Sequence, residues 1–214
     1  MKKVITAIER QKRHPKRRSL FINDKFVCGL DEEIVFALKL KVGREIDEEE
    51  VNRAIFKEEV RKVRDYVLNL LTYRPRSCKE VRDKLKGKKY REELIEEVIG
   101  QLHKLGFLDD SKFAHSWMES RLLNKPIGRR LLEQELRQKG IDGEIIEEVI
   151  QDAFSKCNEE DLALTLARKR LKIYSELNDI TRKRRLYSYL GRRGFSPETI
   201  SRIFERLRKE DKLK

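Results

Sequence analysis

The sequence predicts a mostly α-helical protein: three tandem three-helix repeats in an elongated array, preceded by a small N-terminal β-hairpin or sheet with helices of its own. A block recurs three times, as Val81-Arg82-Asp83-Lys84-Leu85, Leu132-Glu133-Gln134-Glu135-Leu136 and Leu186-Tyr187-Ser188-Tyr189-Leu190. Five residues past each final leucine stands Tyr90, Ile141 or Phe195, and the register holds through Ile95/Ile146/Ile200, Val98/Val149/Ile203 and Ile99/Ile150/Phe204. Self-similarity at a period of 51 and then 54 residues, with no catalytic signature inside it, points to stacked units that build a surface. Composition agrees. With 42% charged and 38% hydrophobic residues, the chain has little apolar material for one large core and suits small layers, each solvated on one side.

The first 30 residues read as strands. Val4-Ile5-Thr6-Ala7-Ile8 is a β-branched run, and Arg18–Ile22 and Lys25–Cys28 flank Asn23-Asp24, a hairpin-type turn pair, which together predict about three antiparallel strands. Asp31 is placed to cap a helix to about Leu40, ended near Gly43, and Asp47 to cap another with Val51, Ala54, Ile55 and Val60 on one face. From Arg61 the pattern is helical almost throughout.

The first repeat opens on the stripe Val63, Tyr66, Val67, Leu70, Leu71 and breaks at Arg74-Pro75, because proline disfavours helical geometry in the residue before it. Ser77 with Glu80 three residues on then forms a capping-box pattern, a third helix runs from about Arg91 to Lys104, and Gly106 ends it. In the second repeat Phe113, Ala114, Trp117, Met118 and Arg121 begin the plan, Pro126 and Gly128 interrupt it, and Arg129 to Lys139 form the middle helix up to Gly140. The third runs from Asp161 through Arg170, from about Arg182 to Arg193, and from Ser196-Pro197, a strong helix start, to the end of the chain. Nine repeat helices result. The expected divisions are an N-terminal β+α extension over 1–58 and repeats over 59–108, 109–157 and 158–214.

The repeated apolar positions read as core, and so does the turn after each middle helix, where glycine allows a left-handed cap and the next apolar residue plugs the core. The first copy has Lys89 where the others have Gly140 and Gly194, so a strained or differently shaped turn is expected there.

Charge carries the functional signal. The chain holds 51 Lys+Arg against 38 Asp+Glu, a net +13 that favours polyanionic partners, nucleic acid first. The excess is uneven: residues 1–18 hold eight Lys/Arg with Glu9 as their one acid, and residues 162–195 hold ten against Glu176 and Asp179. Between them, 44–60 is acidic, with seven Asp/Glu against three Lys/Arg. The candidate partner- or DNA-binding residues are Arg74, Arg76, Arg121, Lys125, Arg129, Arg130, Arg137, Lys139, Arg182, Lys183, Arg185, Arg192 and Arg193; Arg168, Lys169, Arg170 and Arg184 add to the local potential. Arginine's planar fork suits phosphates and carboxylates. Four cations in a row at 182–185 circle a helix start, so at most half of them share a face.

Chemistry is sparse. Neither a GxxxxGK loop nor an HExxH pair occurs, Cys28, Cys78 and Cys157 form no CxxC pair, and His14, His103 and His115 have no ligand spacing with them. Buried free thiols are expected, with no cofactor and no metal. Asp109-Asp110, the pair on which a metal-dependent nuclease would be built, sits where N-capping accounts for it. No apolar run approaches a membrane span, and the basic N-terminus lacks a signal peptide's apolar core; a reduced cytoplasm is the expected home.

Leu105-Gly106-Phe107-Leu108-Asp109-Asp110, followed by Phe113-Ala114, Trp117 and Arg121, resembles the signature centre of the regulatory protein RecX family. Glu135-Leu136-Arg137-Gln138-Lys139-Gly140-Ile141 resembles it too, as do the closing Tyr189-Leu190-Gly191-Arg192-Arg193-Gly194-Phe195 and the opening Arg74-Pro75-Arg76-Ser77 with Glu80. The resemblance covers about residues 60–208; residues 1–58 are similar, more loosely, to an extension of longer members. It implies a non-enzymatic modulator of the RecA recombinase that binds in the groove of the RecA–single-stranded DNA filament. There it would inhibit ATP hydrolysis, filament growth and strand exchange in DNA repair, homologous recombination and the SOS response. The partners implied are RecA and single-stranded DNA, with double-stranded DNA as an extension, for a monomer because its end units are distinct. The competing reading is a protein that binds duplex or single-stranded DNA directly, as a transcriptional regulator does; three-helix units with short turns resemble helix-turn-helix modules, but no heptad seam offers a dimer.

Overall fold

A computed structural model describes residues 3–210 as a four-stranded antiparallel sheet followed by helices. Strands β1 (Lys3–Arg10), β2 (Arg17–Ile22), β3 (Lys25–Asp31) and β4 (Glu45–Ile46) lie in the order β3-β2-β1-β4. The helices are α1 (Glu32–Ala37), α2 (Glu48–Tyr73), α3 (Cys78–Gly87), α4 (Glu92–Lys104), α5 (Asp110–Asn124), α6 (Arg129–Gln138), α7 (Gly143–Lys156), α8 (Glu159–Ile173), α9 (Asp179–Arg192) and α10 (Pro197–Lys209). The chain folds as two compact units: one gathers the described residues up to Arg74 with Arg82–Phe107, the other Pro75–Val81 with the described residues from Leu108 onward.

In the first unit the β2–β3 turn is the expected hairpin. Asn23 and Asp24 both take positive φ, 48° and 61°, the twist that lets two antiparallel strands meet over two residues. The three expected strands become four, because Glu45-Ile46 pairs with Lys3-Val4 at the sheet edge; two residues are too few to show a periodicity. The helix after Asp31 is shorter than expected. It ends at Ala37, where Lys39 turns left-handed at φ 51°. Ile5, Leu20, Ile22, Leu30, Ile34, Leu40, Ile46, Val51 and Ala54 form the core that joins the sheet to α1 and the start of α2.

The Asp47-capped helix does not stop before the first repeat. It continues as the 26-residue α2, whose far half supplies Val60, Val63 and Val67 to the interior, while α4 supplies Leu94, Ile95, Val98, Ile99 and Leu102. In the other unit, Phe113, Ala114, Met118, Ile127, Leu132, Leu136, Ile141, Ile146 and Val149 form the second repeat's core. Ala163, Leu164, Leu186, Leu190, Phe195, Ile200 and Ile203 form the third's. Helix α8 begins at Glu159 and α9 at Asp179, earlier than the apolar periodicity places them, because Asn158 and Asn178 cap them from outside the apolar stripe. The last helix reaches Lys209; its expected run to the chain end falls, for 211–214, outside the described residues.

The core leucines of the three copies are fully buried, but one plug is not: Tyr90 is 36% exposed, against 6% for Ile141 and 2% for Phe195. Its turn is not differently shaped. Lys89 adopts φ 62°, beside 76° and 84° at Gly140 and Gly194, and the same backbone bonds close it: Tyr90 to Leu85, Ile141 to Leu136 and Phe195 to Leu190. The strain expected of a lysine in that region is therefore present. The cysteines are free, as expected, but only half-buried; Cys28 lies within β3 opposite Leu20, and desolvation raises its thiol to about 11.

Candidate partner-binding surface

Two register-matched seats organise the second unit. Ser77, which caps α3 by accepting from the Glu80 N–H at 3.1 Å, also donates its hydroxyl to the Lys139 carbonyl at 2.7 Å. One repeat later Gly128, the cap residue of α6, donates its N–H to the Arg193 carbonyl at 2.8 Å. The turn after one middle helix thus receives the start of the preceding middle helix, twice in the same register. Glycine is required for closeness at Gly128, whose φ is an ordinary −80°, and for both closeness and φ at Gly194, at 84°. A Cβ on Gly128 would stand 2.5 Å from the Gly194 carbonyl oxygen, and one on Gly194 would collide with the Leu131 backbone and Cβ.

Around the first seat the signature residues are spent on each other. The Trp117 indole donates to Glu135 at 2.8 Å, the Arg121 Nε donates to the same oxygen at 2.6 Å, and Arg121 and Lys139 each lie 4.6 Å from the indole centroid. Lys139 also pairs with Glu80. Asp110 accepts from the Cys78 N–H at 2.8 Å at the start of α3, and Asp109 caps α5. Bonding to the Lys112 N–H holds the Asp109 carboxyl below its usual range. Both aspartates are thereby engaged by backbone donors.

The thirteen candidate cations sort by partner. Arg129 lies over Phe154 and pairs with Glu159 at 3.4 Å, Arg137 pairs with Glu133 within α6, and Arg182 pairs with Asp179 within α9. Arg193 lies over Tyr189 and reaches the Pro126 carbonyl at 3.4 Å. Arg76 is half-buried before α3, and Arg74 is exposed at the C-cap of α2. Lys125, Arg130, Lys183, Arg185 and Arg192 have no ion pair among the described residues, and Arg184 joins them. The structure brings Arg185 and Arg192 together at i, i+7 on the solvent side of α9, whose other side buries Leu186, Tyr189 and Leu190. Beside them runs Ile180, Arg184 and Tyr187, with Ile180 83% and Tyr187 47% exposed. Lys125 stands at the C-cap of α5 and Arg130 in the first turn of α6, at the two sides of the α5–α6 break. Charge counting found the cations of α9. It missed Ile180 and Tyr187; the alignment of Tyr187 with Arg82 and Glu133 in the other two copies is the signal that places it outside the core.

All four parts of this architecture match known domains in chain order. Residues 3–47 match the regulatory protein RecX N-terminal domain, and 64–102, 109–150 and 158–204 match the first, second and third RecX three-helix domains. The chain belongs to the RecX family. It is 33% identical to the regulatory protein RecX of Bacillus subtilis (strain 168), over 97% of this chain and 78% of that protein. To the regulatory protein RecX of Clostridium tetani (strain Massachusetts / E88) it is 32% identical, over 95% and 94%. A crystal structure of regulatory protein RecX superposes with a TM-score of 0.76 at 25% identity, covering 94% of this chain and 98% of that one. RecX from Lactobacillus salivarius superposes with 0.61 at 28% identity, covering 71% and 97%. This RecX chain carries, among its described residues, no helix long and apolar enough to cross a membrane.

Proposed function

We propose that this chain regulates the RecA recombinase. It binds in the groove of the RecA–single-stranded DNA filament and lowers ATP hydrolysis, filament growth and strand exchange. In this reading it is a monomer of the bacterial cytoplasm that turns over no substrate itself, and its working divisions are 1–58, 59–108, 109–157 and 158–214. The observation that carries the reading is the match of all four RecX domains in order along one chain. The exposed side of α9 supports it. Arg184, Arg185 and Arg192 stand there without carboxylate partners among the described residues, beside Ile180 and Tyr187, the mixture of cation and apolar anchor that a protein–DNA filament offers a use for.

The test is ATP hydrolysis by a RecA–single-stranded DNA filament as this protein is titrated from well below to well above RecA. Inhibition at substoichiometric amounts is expected. Arg184→Glu with Arg185→Glu and Arg192→Glu should raise the half-inhibiting concentration at least about tenfold, the equivalent of about 1.4 kcal/mol of binding. No effect at any ratio, together with tight binding to naked DNA, would replace the reading with direct DNA binding.

A further inference from the structure

The β1–β2 hairpin carries an unbalanced charge that the filament reading does not use. From Arg10 to Arg18 the sequence holds six Lys/Arg and no Asp/Glu. Two of the six are spent inside the fold: Arg17 pairs with Glu58 at 2.8 Å and Arg18 with Glu32 at 2.5 Å. Arg10, Lys12, Arg13 and Lys16 have no carboxylate partner among the described residues, and all four are exposed. Glu9, the nearest acid, alternates to the other side of β1 and stands opposite Ser19.

The connection that displays them is tied down. Gln11 N–H donates to the Arg17 carbonyl at 3.0 Å and Arg17 N–H to the His14 carbonyl at 2.9 Å, closing a turn through Pro15. Arg10 and Arg18, directly opposed across the two strands, both donate to the Pro15 carbonyl, at 3.1 and 2.9 Å. The Lys16 carbonyl accepts from the Glu32 N–H at 2.9 Å. A like-charged pair facing across a ladder costs stability. Lys12, Arg13 and Lys16, by contrast, make no side-chain hydrogen bond or ion pair among the described residues, on a connection whose backbone is already fixed.

We infer that the β1–β2 hairpin of the N-terminal domain is a docking site for the backbone of duplex DNA, with Lys12, Arg13 and Lys16 as its phosphate contacts. A two-stranded ribbon is narrow enough to enter the major groove, and cations on its fixed end can meet the phosphates that line it. Single-strand binding relies on aromatic platforms for unstacked bases, and no Phe, Tyr or Trp lies between residues 10 and 18. The same stretch has no large apolar residue to enter a lipid surface. The site is independent of the RecA reading and lies on a different domain from α9.

The experiment compares the full chain with its Lys12→Gln/Arg13→Gln/Lys16→Gln variant for affinity to a labelled duplex across a salt series, with a single strand and anionic phospholipid vesicles in parallel. The variant should lose at least about tenfold in duplex affinity, and the slope of log affinity against log salt should fall by about two to three, one phosphate contact per cation. The charge-keeping variant Lys12→Arg/Arg13→Lys/Lys16→Arg should bind as the wild type does, which separates lost charge from lost folding. Unchanged duplex affinity and slope overturn the inference, as does a loss confined to vesicles or to single strands. RecA ATPase, read on the same variant with single-stranded DNA alone, should not move, so this site can fail while filament regulation stands.

Discussion

At the scale of single residues, Glu58 is the polar tie between the N-terminal sheet and α2. It is 3% exposed, yet its carboxylate meets Arg17 at 2.8 Å, Arg61 at 3.1 Å and the Asp31 N–H at 2.9 Å. The bond to Glu58 raises the Arg61 guanidinium above its ordinary value. Removing one member of a buried charge cluster leaves the others desolvated and unpaired, so Glu58→Ala should cost about 3 kcal/mol in urea unfolding. A surface carboxylate such as Glu93 replaced in the same way should change stability by less than about 0.5 kcal/mol. Nothing in the sequence marks Glu58 among the seven acids of 44–60; only the return of β2 and β3 onto α2 brings Arg17 beside it. Cys28, in the same neighbourhood, is raised to about 11, by burial first and by the Glu58 charge second. The thiol is therefore neutral at neutral pH, and alkylation in the native state should accelerate only as pH approaches 11. Iodoacetamide labelling followed by peptide mapping measures this. The unfolded thiol ionises first, near 9, so this residue's share of stability is intact below 9 and is lost as pH rises towards 11.

At the scale of elements, the repeated turn separates what the sequence displays from what it hides. Leu85, Leu136 and Leu190, with Ile95, Ile146 and Ile200, were legible as core because burial follows helical spacing. The left-handed turn was legible at Gly140 and Gly194, and Lys89 keeps its shape at a cost in conformational energy. Tyr90 was not legible as exposed, since its spacing matches that of Ile141 and Phe195; the difference lies in what covers the turn. Lys79 lies against the second turn and Leu131 against the third, contacts made by chain more than fifty residues away. Continuous α2 was hidden for a related reason: its first half packs under the sheet and its second half in the repeat, so its apolar stripe changes partners without breaking. The turn supplies the prediction at this scale. Lys89→Gly should stabilise the protein by about 1 kcal/mol, relieving a left-handed lysine. Gly194→Ala should destabilise by at least about 2 kcal/mol, because the added Cβ meets both an unfavourable φ and the Leu131 backbone. Thermal melts of the two variants beside the wild type should move in opposite directions.

At the scale of the whole molecule, the two seats decide whether the repeats act singly or as a body. The acceptors of both are backbone carbonyls, those of Lys139 and Arg193, and no residue type announces a carbonyl in use. For the same reason the candidate surface was only half legible. Charge counting named Arg121 and Lys139, and the fold occupies both with Trp117, Glu135 and Glu80. A stack of repeats unfolds together only when the interfaces between neighbours are strong compared with the repeats themselves. Gly128 contributes an N–H bond to the Arg193 carbonyl at 2.8 Å and leaves room for the Gly194 turn, while its own repeat's core, Leu132 and Leu136 with Ile146, lies elsewhere. Gly128→Ala should therefore weaken the seat far more than the bundle. By hydrogen exchange, amides of α5–α7 and α8–α10 should share one opening free energy in the wild type. In the variant, α8–α10 should open separately, at least about 1 kcal/mol more easily. Arg185 and Arg192 keep their places on α9 in either case, so the variant also divides two ways of regulating a filament. If the α9 face works alone, inhibition of RecA ATPase survives the loss of the seat; if the second and third repeats must meet the filament in fixed register, the half-inhibiting concentration rises with it. The seats recur in the same register at Ser77 and Gly128, and a recurring geometry that only supported one helix face would have no need of both, so the second outcome is the one expected.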